Sequence, residues 1–254
     1  MADLQALLFD VDGTLADTER DGHRVAFNMA FDEAGLDWFW DESLYGELLA
    51  VTGGKERIRF YLEKFNTTFA KPENFDAFVK GLHEAKTKFY TQLMAEGKIP
   101  LRTGVEALIN EARAQGMRMA VVTTTTPANV TALLESTLGP DSESWFEVIA
   151  AGDIVPAKKP APDIYIWALE QMGLTADQAI AFEDSLNGIL SSSAANVKTI
   201  VTINEYTKED DFSKAAVVLN HMGDDETPFE LIAGEVYGRN KLDLALVKEI
   251  FAKA

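Results

Sequence analysis

Asp10 and Asp12 stand two residues apart at the end of the apolar run Leu7-Leu8-Phe9, and Gly13 and Thr14 follow at once. A buried strand would hide each carboxylate at a cost of several kcal/mol unless donors or a cation met it, so the pair belongs at a strand's end. Two carboxylates there suit a hard cation and Mg²⁺-assisted phosphoryl transfer, with one aspartate as nucleophile and the other as acid/base. The same letters also fit a solvated Asp-rich turn or a fragment of a calcium loop.

Three later segments offer matching chemistry. Thr123 to Thr126 follow the apolar Met119 to Val122, where a hydroxyl and main-chain N–H groups at a strand-to-helix turn could hold phosphate oxygens or simply cap a helix. In Lys158-Lys159-Pro160-Ala161-Pro162-Asp163 the prolines break regular structure and fix a lysine at a helix entrance, where it could neutralise a phosphoryl group; a solvated lysine is the plainer reading. Glu183 and Asp184 end the run Ile180 to Phe182, and Asn187-Gly188 open a helix, so an acidic cap is the alternative there.

These segments need a frame that brings them together. Apolar runs at Leu7 to Phe9, Met117 to Val122, Val148 to Ala151, Ala179 to Phe182 and Thr199 to Val201 predict short buried strands. They alternate with helical segments at Gly104 to Gln115, Pro127 to Leu138, Pro162 to Met172 and Leu186 to Asn196. Alternation implies an α/β fold with a doubly wound parallel sheet, in which ligands bind beyond the strands' carboxyl ends. Four chemistry-bearing strand ends on one such sheet are hard to explain as separate turns and caps.

Residues 17–97 break the alternation with amphipathic stretches at Arg20 to Ala34, Leu44 to Ala50, Lys55 to Phe65 and Asn74 to Met94. The expected organisation is therefore a core from residues 1–16 and 98–254 with a helical cap at 17–97. The cap starts three residues after Thr14, directly above the aspartate turn, where it could act as a lid. Trp38-Phe39-Trp40 is expected to pack between cap helices, and an amphipathic helix around Leu242 to Phe251 to dock on the core.

Composition narrows the partners. A net charge of −18 argues against nucleic acid and anionic membranes, and it obliges a phosphate site to reverse sign locally with a metal and a few placed cations. With no cysteine, any metal rests on oxygen or histidine. No apolar stretch reaches the length of a membrane span and no export signal is seen, so the expectation is a cytoplasmic monomer, or a stromal one in a plastid-bearing host.

The motifs D-x-D-G-T, T, K-P and E-D, in that order and with the cap just after the first, resemble those of haloacid dehalogenase superfamily phosphohydrolases. The resemblance implies a Rossmann-like core with Asp10 as nucleophile and Asp12 as general acid/base. Thr123 and Lys159 would bind phosphate and join the catalytic set, leaving Lys158 to the surface, and Mg²⁺ would lie on Asp10, Asp184 and the Asp12 carbonyl, with Glu183 in support. On the cap, Glu19 and His23 sit one helical turn apart and would face the same way, either to a sugar hydroxyl or to each other. Gly53-Gly54-Lys55-Glu56-Arg57 could form an anion cradle for a second phosphate, or a Gly-rich connector with solvated cations.

With these cap residues, Trp38-Phe39-Trp40 and the Lys158 to Asp163 segment, the chain closely resembles the CbbY-type phosphatases, which convert xylulose 1,5-bisphosphate, an inhibitory by-product of Rubisco, to xylulose 5-phosphate. Substrate contacts would then include Glu19, His23, Gly53, Gly54, Lys55, Glu56, Arg57, Thr123, Thr124, Lys159 and Asn187. A β-phosphoglucomutase-like enzyme shares the nucleophile and cap, and a catalytically silent sugar-phosphate-binding protein is the reading from another class. A dehalogenase would not need Asp12, and a phosphonatase would need a cap lysine, for which Lys55 is a poor candidate.

Overall fold

The computed structural model describes residues 3–253. Its centre is a seven-stranded sheet: β1 (Ala6–Phe9), β2 (Arg118–Thr123), β3 (Val148–Ala151), β4 (Ala179–Glu183), β5 (Lys198–Thr202), β6 (Val217–Leu219) and β7 (Leu231–Gly234). They lie in the order β3-β2-β1-β4-β5-β6-β7. Strands β1 to β6 run parallel, and β7 closes one edge antiparallel to β6. The doubly wound parallel sheet is thus as the alternation implies. The last two strands are additions to it: β6 is three residues long, and β7 is exposed throughout, so neither carries a periodic signal.

The strands read as unbroken apolar runs because helices cover both faces. Alternate residues of β1 divide between them: Leu7 and Phe9 join one core cluster, Ala6 and Leu8 the other. The first face is covered by α5 (Val105–Ala114), α6 (Pro127–Leu138) and the tail helix α9 (Leu244–Lys253). The second is covered by α7 (Asp163–Met172), which supplies Ile164, Tyr165, Ala168 and Leu169. On the β5 and β6 side lies α8 (Leu186–Ala194), started by the Ser185 side chain accepting from Gly188 N at 3.2 Å.

Between β1 and α5 the chain leaves the sheet for a π-helical turn at Glu19–His23, then α1 (Arg24–Glu33), α2 (Glu42–Leu48), α3 (Gly54–Lys64) and α4 (Phe75–Ala95). Phe27, Phe31, Trp38, Trp40, Tyr45, Tyr61 and Leu82 form a cluster of their own within this insert. Trp40 is fully buried against Phe31 and Tyr61, whereas Phe39 between the two tryptophans points to solvent. The far end of α4 behaves differently: Tyr90, Leu93 and Met94 belong to the sheet's own core. The insert leaves and returns at one place, where Arg102 N donates to Leu15 O at 2.8 Å and Ala16 bridges Leu101. Among the described residues no helix is long and apolar enough to cross a membrane.

Candidate active site

Strand order dictates where the site forms. The chain winds outward from β1 to β2 and β3, then crosses to β4 on the other side, so the crevice beyond β1 and β4 is the switch point where such sheets bind ligands. Register pairs Phe9 with Phe182, which sets Asp10 beside Glu183 and Asp184. Carboxylate oxygens of these three residues lie within 4.8 Å of one another, and all three residues are buried.

Lys159 reaches this cluster from the loop before α7. Its Nζ donates to Asp10 Oδ1 at 2.7 Å, to Glu183 Oε1 at 2.6 Å and to Val122 O at 2.8 Å, which uses all three of its protons. Tyr165 also donates to Glu183 Oε1. Burial would strip the charge from Lys159, but the Asp10 and Glu183 carboxylates more than offset it and hold the ammonium above its usual range. Asp184 Oδ2 accepts from Asn204 Nδ2 at 2.7 Å.

One ammonium does not balance three buried carboxyls. Burial, and then the charge of Asp10 and Glu183, pushes Asp184 well up; Asp10 is pushed up by burial, with Lys159 pulling the other way and Glu183 adding to the rise. Glu183 Oε2 is buried without a hydrogen-bond partner. A small, hard divalent cation among these oxygens would relieve both conditions, so the residues fit such an ion. The main chain is shaped to let them close up: at Gly13, with φ +86°, a Cβ would come within 2.2 Å of Asp184 Oδ2. At Gly188 one would come within 1.9 Å of Glu183 Oε2.

Asp12 faces away from the cluster. Its Oδ1 accepts from Thr18 Oγ1 at 2.6 Å and pairs with His23 Nε2 at 2.7 Å. Behind it, Lys86 Nζ lies 2.7 Å from His23 Nδ1. An ammonium can only donate, so Nδ1 accepts and Nε2 keeps the proton that it gives to Asp12. Burial opposes ionisation of Asp12, yet His23 and Thr18 hold its carboxyl down to about 2. Burial lowers Lys86 to about 8, which leaves it cationic at neutral pH. As a candidate metal ligand, Asp12 is therefore restricted to its main-chain carbonyl.

Two cavities meet here. One, of about 390 Å³, is lined by Asp10, Thr123, Thr124, Lys159, Glu183, Asp184 and Asn187 on the sheet side and by Thr52 and α2 residues on the insert side. The other, of about 430 Å³, is lined by Gly53, Gly54, His23, His83, Lys86 and Lys158, with Thr125 and Thr126. Asp12, Glu19, Arg57 and Thr124 are common to both walls. Thr123, at the end of β2, is buried and accepts from Thr125 N at 3.3 Å. Asn187 bonds Thr52 Oγ1 at 3.1 Å across the gap.

Several expectations need correcting. Glu19 and His23 both line the second cavity but do not pair with each other: His23 bonds Asp12, while Glu19 Oε2 accepts from Tyr45 Oη at 2.5 Å and from Arg57 Nη1 at 3.3 Å. Lys55 and Glu56 line neither cavity, because Lys55 pairs with Asp153 at 2.5 Å and Glu56 with Lys158 at 3.2 Å. Of the expected cradle, Gly53, Gly54 and Arg57 line the second cavity, and Arg57 is the one cation among them. Lys158 is not a surface residue: 16 % exposed, it ties Glu56 of α3 to Asp153, 3.0 Å away on the loop after β3. Asn204, Tyr206, Tyr45, Lys86 and His83 were not marked by any motif. Asn204 was within reach of the strand-end rule, since it lies two residues beyond the end of β5.

The sequence matches the haloacid dehalogenase-like hydrolases over residues 4–196. It is 45% identical over 225 residues to a plasmid-borne CbbY protein of Cupriavidus necator, covering 89% of this chain and 88% of that one. The structure is similar to that of CbbY from Rhodobacter sphaeroides in complex with phosphate, with a TM-score of 0.80 and 45% identity over 86% of this chain and 94% of that one. A mutant of that protein in complex with xylulose 1,5-bisphosphate matches equally well.

Proposed function

The chain belongs to the haloacid dehalogenase-like hydrolase family, in its CbbY branch, and from that we propose a Mg²⁺-dependent phosphatase acting on a sugar bisphosphate, with xylulose 1,5-bisphosphate the first candidate. The observation that carries this reading is the pairing of a buried carboxylate cluster, only partly offset by Lys159, with a second cavity that is rich in cations. Asp10, Glu183 and Asp184, with the Asp12 carbonyl, would hold the Mg²⁺, which offsets the repulsion between a phosphate dianion and a carboxylate nucleophile.

The chain's own groups account for the remaining chemistry. Asp10 attacks phosphorus in line, forming an aspartyl phosphate as the bond to the sugar oxygen breaks. Asp12 rests as a carboxylate, so it has to take up a proton before it gives one to that oxygen; as carboxylate again it takes one from the water that cleaves the aspartyl phosphate. Lys159 and the Thr123 turn bear the charge on the phosphoryl oxygens. The helical insert covers the site, and a core of residues 1–16 and 98–254 with a cap of 17–97 is the organisation we adopt.

A bisphosphate is favoured over a monophosphate by the second cavity. Arg57 Nε and Thr126 Oγ1 there are buried without partners, next to Lys86 and Lys158, which is an arrangement suited to a second, non-reacting phosphate. The deciding experiment measures phosphate release from pentulose and hexose mono- and bisphosphates with Mg²⁺. One phosphate released per xylulose 1,5-bisphosphate is expected. With β-glucose 1-phosphate and a bisphosphate primer, glucose 6-phosphate without free phosphate would instead establish a mutase.

A further inference from the structure

Arg102 follows the point where the insert rejoins the sheet, and its side chain is only 8 % exposed. Its guanidinium donates to four main-chain carbonyls drawn from three separate segments: Gly13, Thr202 at 3.0 Å, Ile203 and Asn220 at 2.8 Å. Thr202 Oγ1 accepts at 3.1 Å, and Nε faces Asp17 Oδ1 at 3.3 Å. A flat fork with five fixed donors can serve so many acceptors at once; a lysine ammonium, with three protons on one atom, cannot.

Two of the held segments are the walls around Asp184. Gly13 packs so closely that a Cβ would sit 2.2 Å from Asp184 Oδ2, and Asn204, directly after Ile203, donates to that same oxygen at 2.7 Å. We propose that Arg102 is a positioning residue: by clamping the Gly13 turn and the Asn204 loop to one guanidinium, it holds the Asp184 carboxylate in the orientation that the acidic cluster needs to bind its cation. The inference rests on reading that cluster as a metal site. Arg102 touches neither substrate nor cation; it acts through Gly13 and Asn204.

The test is Mn²⁺ binding, followed by equilibrium dialysis on the full-length protein alone, with Arg102→Lys, Asn204→Ala and the double variant, each checked for cooperative melting. A folded Arg102→Lys protein is expected to bind Mn²⁺ about 10- to 100-fold more weakly, as is usual when a group that orients a metal ligand is lost. Asn204→Ala should weaken binding in the same way, and the double variant should fall well short of the two losses combined, because both act on one carboxylate. Unchanged affinity in folded Arg102→Lys, or strictly additive losses, would overturn the proposal. Should Arg102→Lys not melt cooperatively, Asn204→Ala carries the test, and unchanged affinity there overturns it equally. If the unmodified protein binds no Mn²⁺, the metal reading of the cluster fails and this inference fails with it.

Discussion

Asp10 and Asp12 are neighbours in the chain and live in opposite electrostatic settings. Asp10 is buried among carboxylates with one lysine for relief, whereas Asp12 accepts from a histidine and a threonine supplied by the insert. Their substitutions should therefore fail differently. Asp10→Asn removes the nucleophile and is expected to abolish phosphate release, so full turnover by that variant would refute the mechanism. Asp12→Ala should lower kcat by on the order of 100- to 10,000-fold, the usual share of a positioned acid/base, and this is read from steady-state kinetics at saturating Mg²⁺. Arg57→Ala should raise KM for bisphosphates far more than for monophosphates, by about 1.5 to 3 kcal/mol for one charged contact. An equal rise for both would remove Arg57 from the second phosphate. The residues that were legible in advance are those at strand ends with a spacing signature, such as Asp10, Thr123, Lys159 and Asp184. Arg102 was not, because a lone arginine in a loop has no periodicity or partner spacing to mark it, and its acceptors lie up to 118 positions away.

Among the elements, the insert stands largely on its own aromatic cluster. Phe27, Phe31, Tyr45 and Tyr61 surround Trp40, with ring centroids between 4.7 and 6.0 Å from it. Trp40→Ala is expected to destabilise the protein by about 3 to 5 kcal/mol, measurable as a fall in the urea midpoint. Phe39→Ala, one residue away and 68 % exposed, should change it by no more than about 0.5 kcal/mol. The tryptophan cluster was recognisable as packing from its composition, but which rings face inward is decided by how the segment after α1 turns. Strands β1 to β5 were legible because burial on both faces makes them unbroken apolar runs. Strands β6 and β7 were not, because each gains its place from neighbours: β6 by continuing the parallel ladder, β7 by folding back on it.

Across the whole molecule, acid response follows from groups whose charge the fold resists or favours. His83, on α4 beside Lys86, Lys55 and Lys158, is lowered from 6.5 to about 3 by burial first and then by those cations. Its folded-state value lies below its unfolded one, so the unfolded chain binds the extra proton, and stability is lost as pH falls from about 6.5 towards 3. Asp12, held at about 2 against 3.8, contributes stability that persists above 3.8 and disappears as pH falls through about 2. The two windows overlap only between about 3 and 3.8. His83→Gln should flatten the drop in urea midpoint between pH 7 and pH 5 while leaving the steeper acid limb near pH 3 in place; an unchanged profile would show that His83 does not drive the first loss. A net charge of −18 adds no comparable preference for a dianionic substrate, so attraction has to come from the few cations gathered where the cavities meet.

The hydrogen bond from Arg102 N to Leu15 O makes the insert's entrance and exit a single doorway in the sheet. The core's two cut ends are thus already joined, and the space outside that doorway sets no length on what fills it. Helical inserts from other proteins could be exchanged there, provided that Arg102 stays on the core side of the splice and that each insert brings counterparts of Thr18 and His23 for Asp12 and of Tyr90, Leu93 and Met94 for the sheet's core. Such chimaeras would transplant substrate choice onto one phosphoryl-handling core, turning one hydrolase scaffold into a series with different appetites.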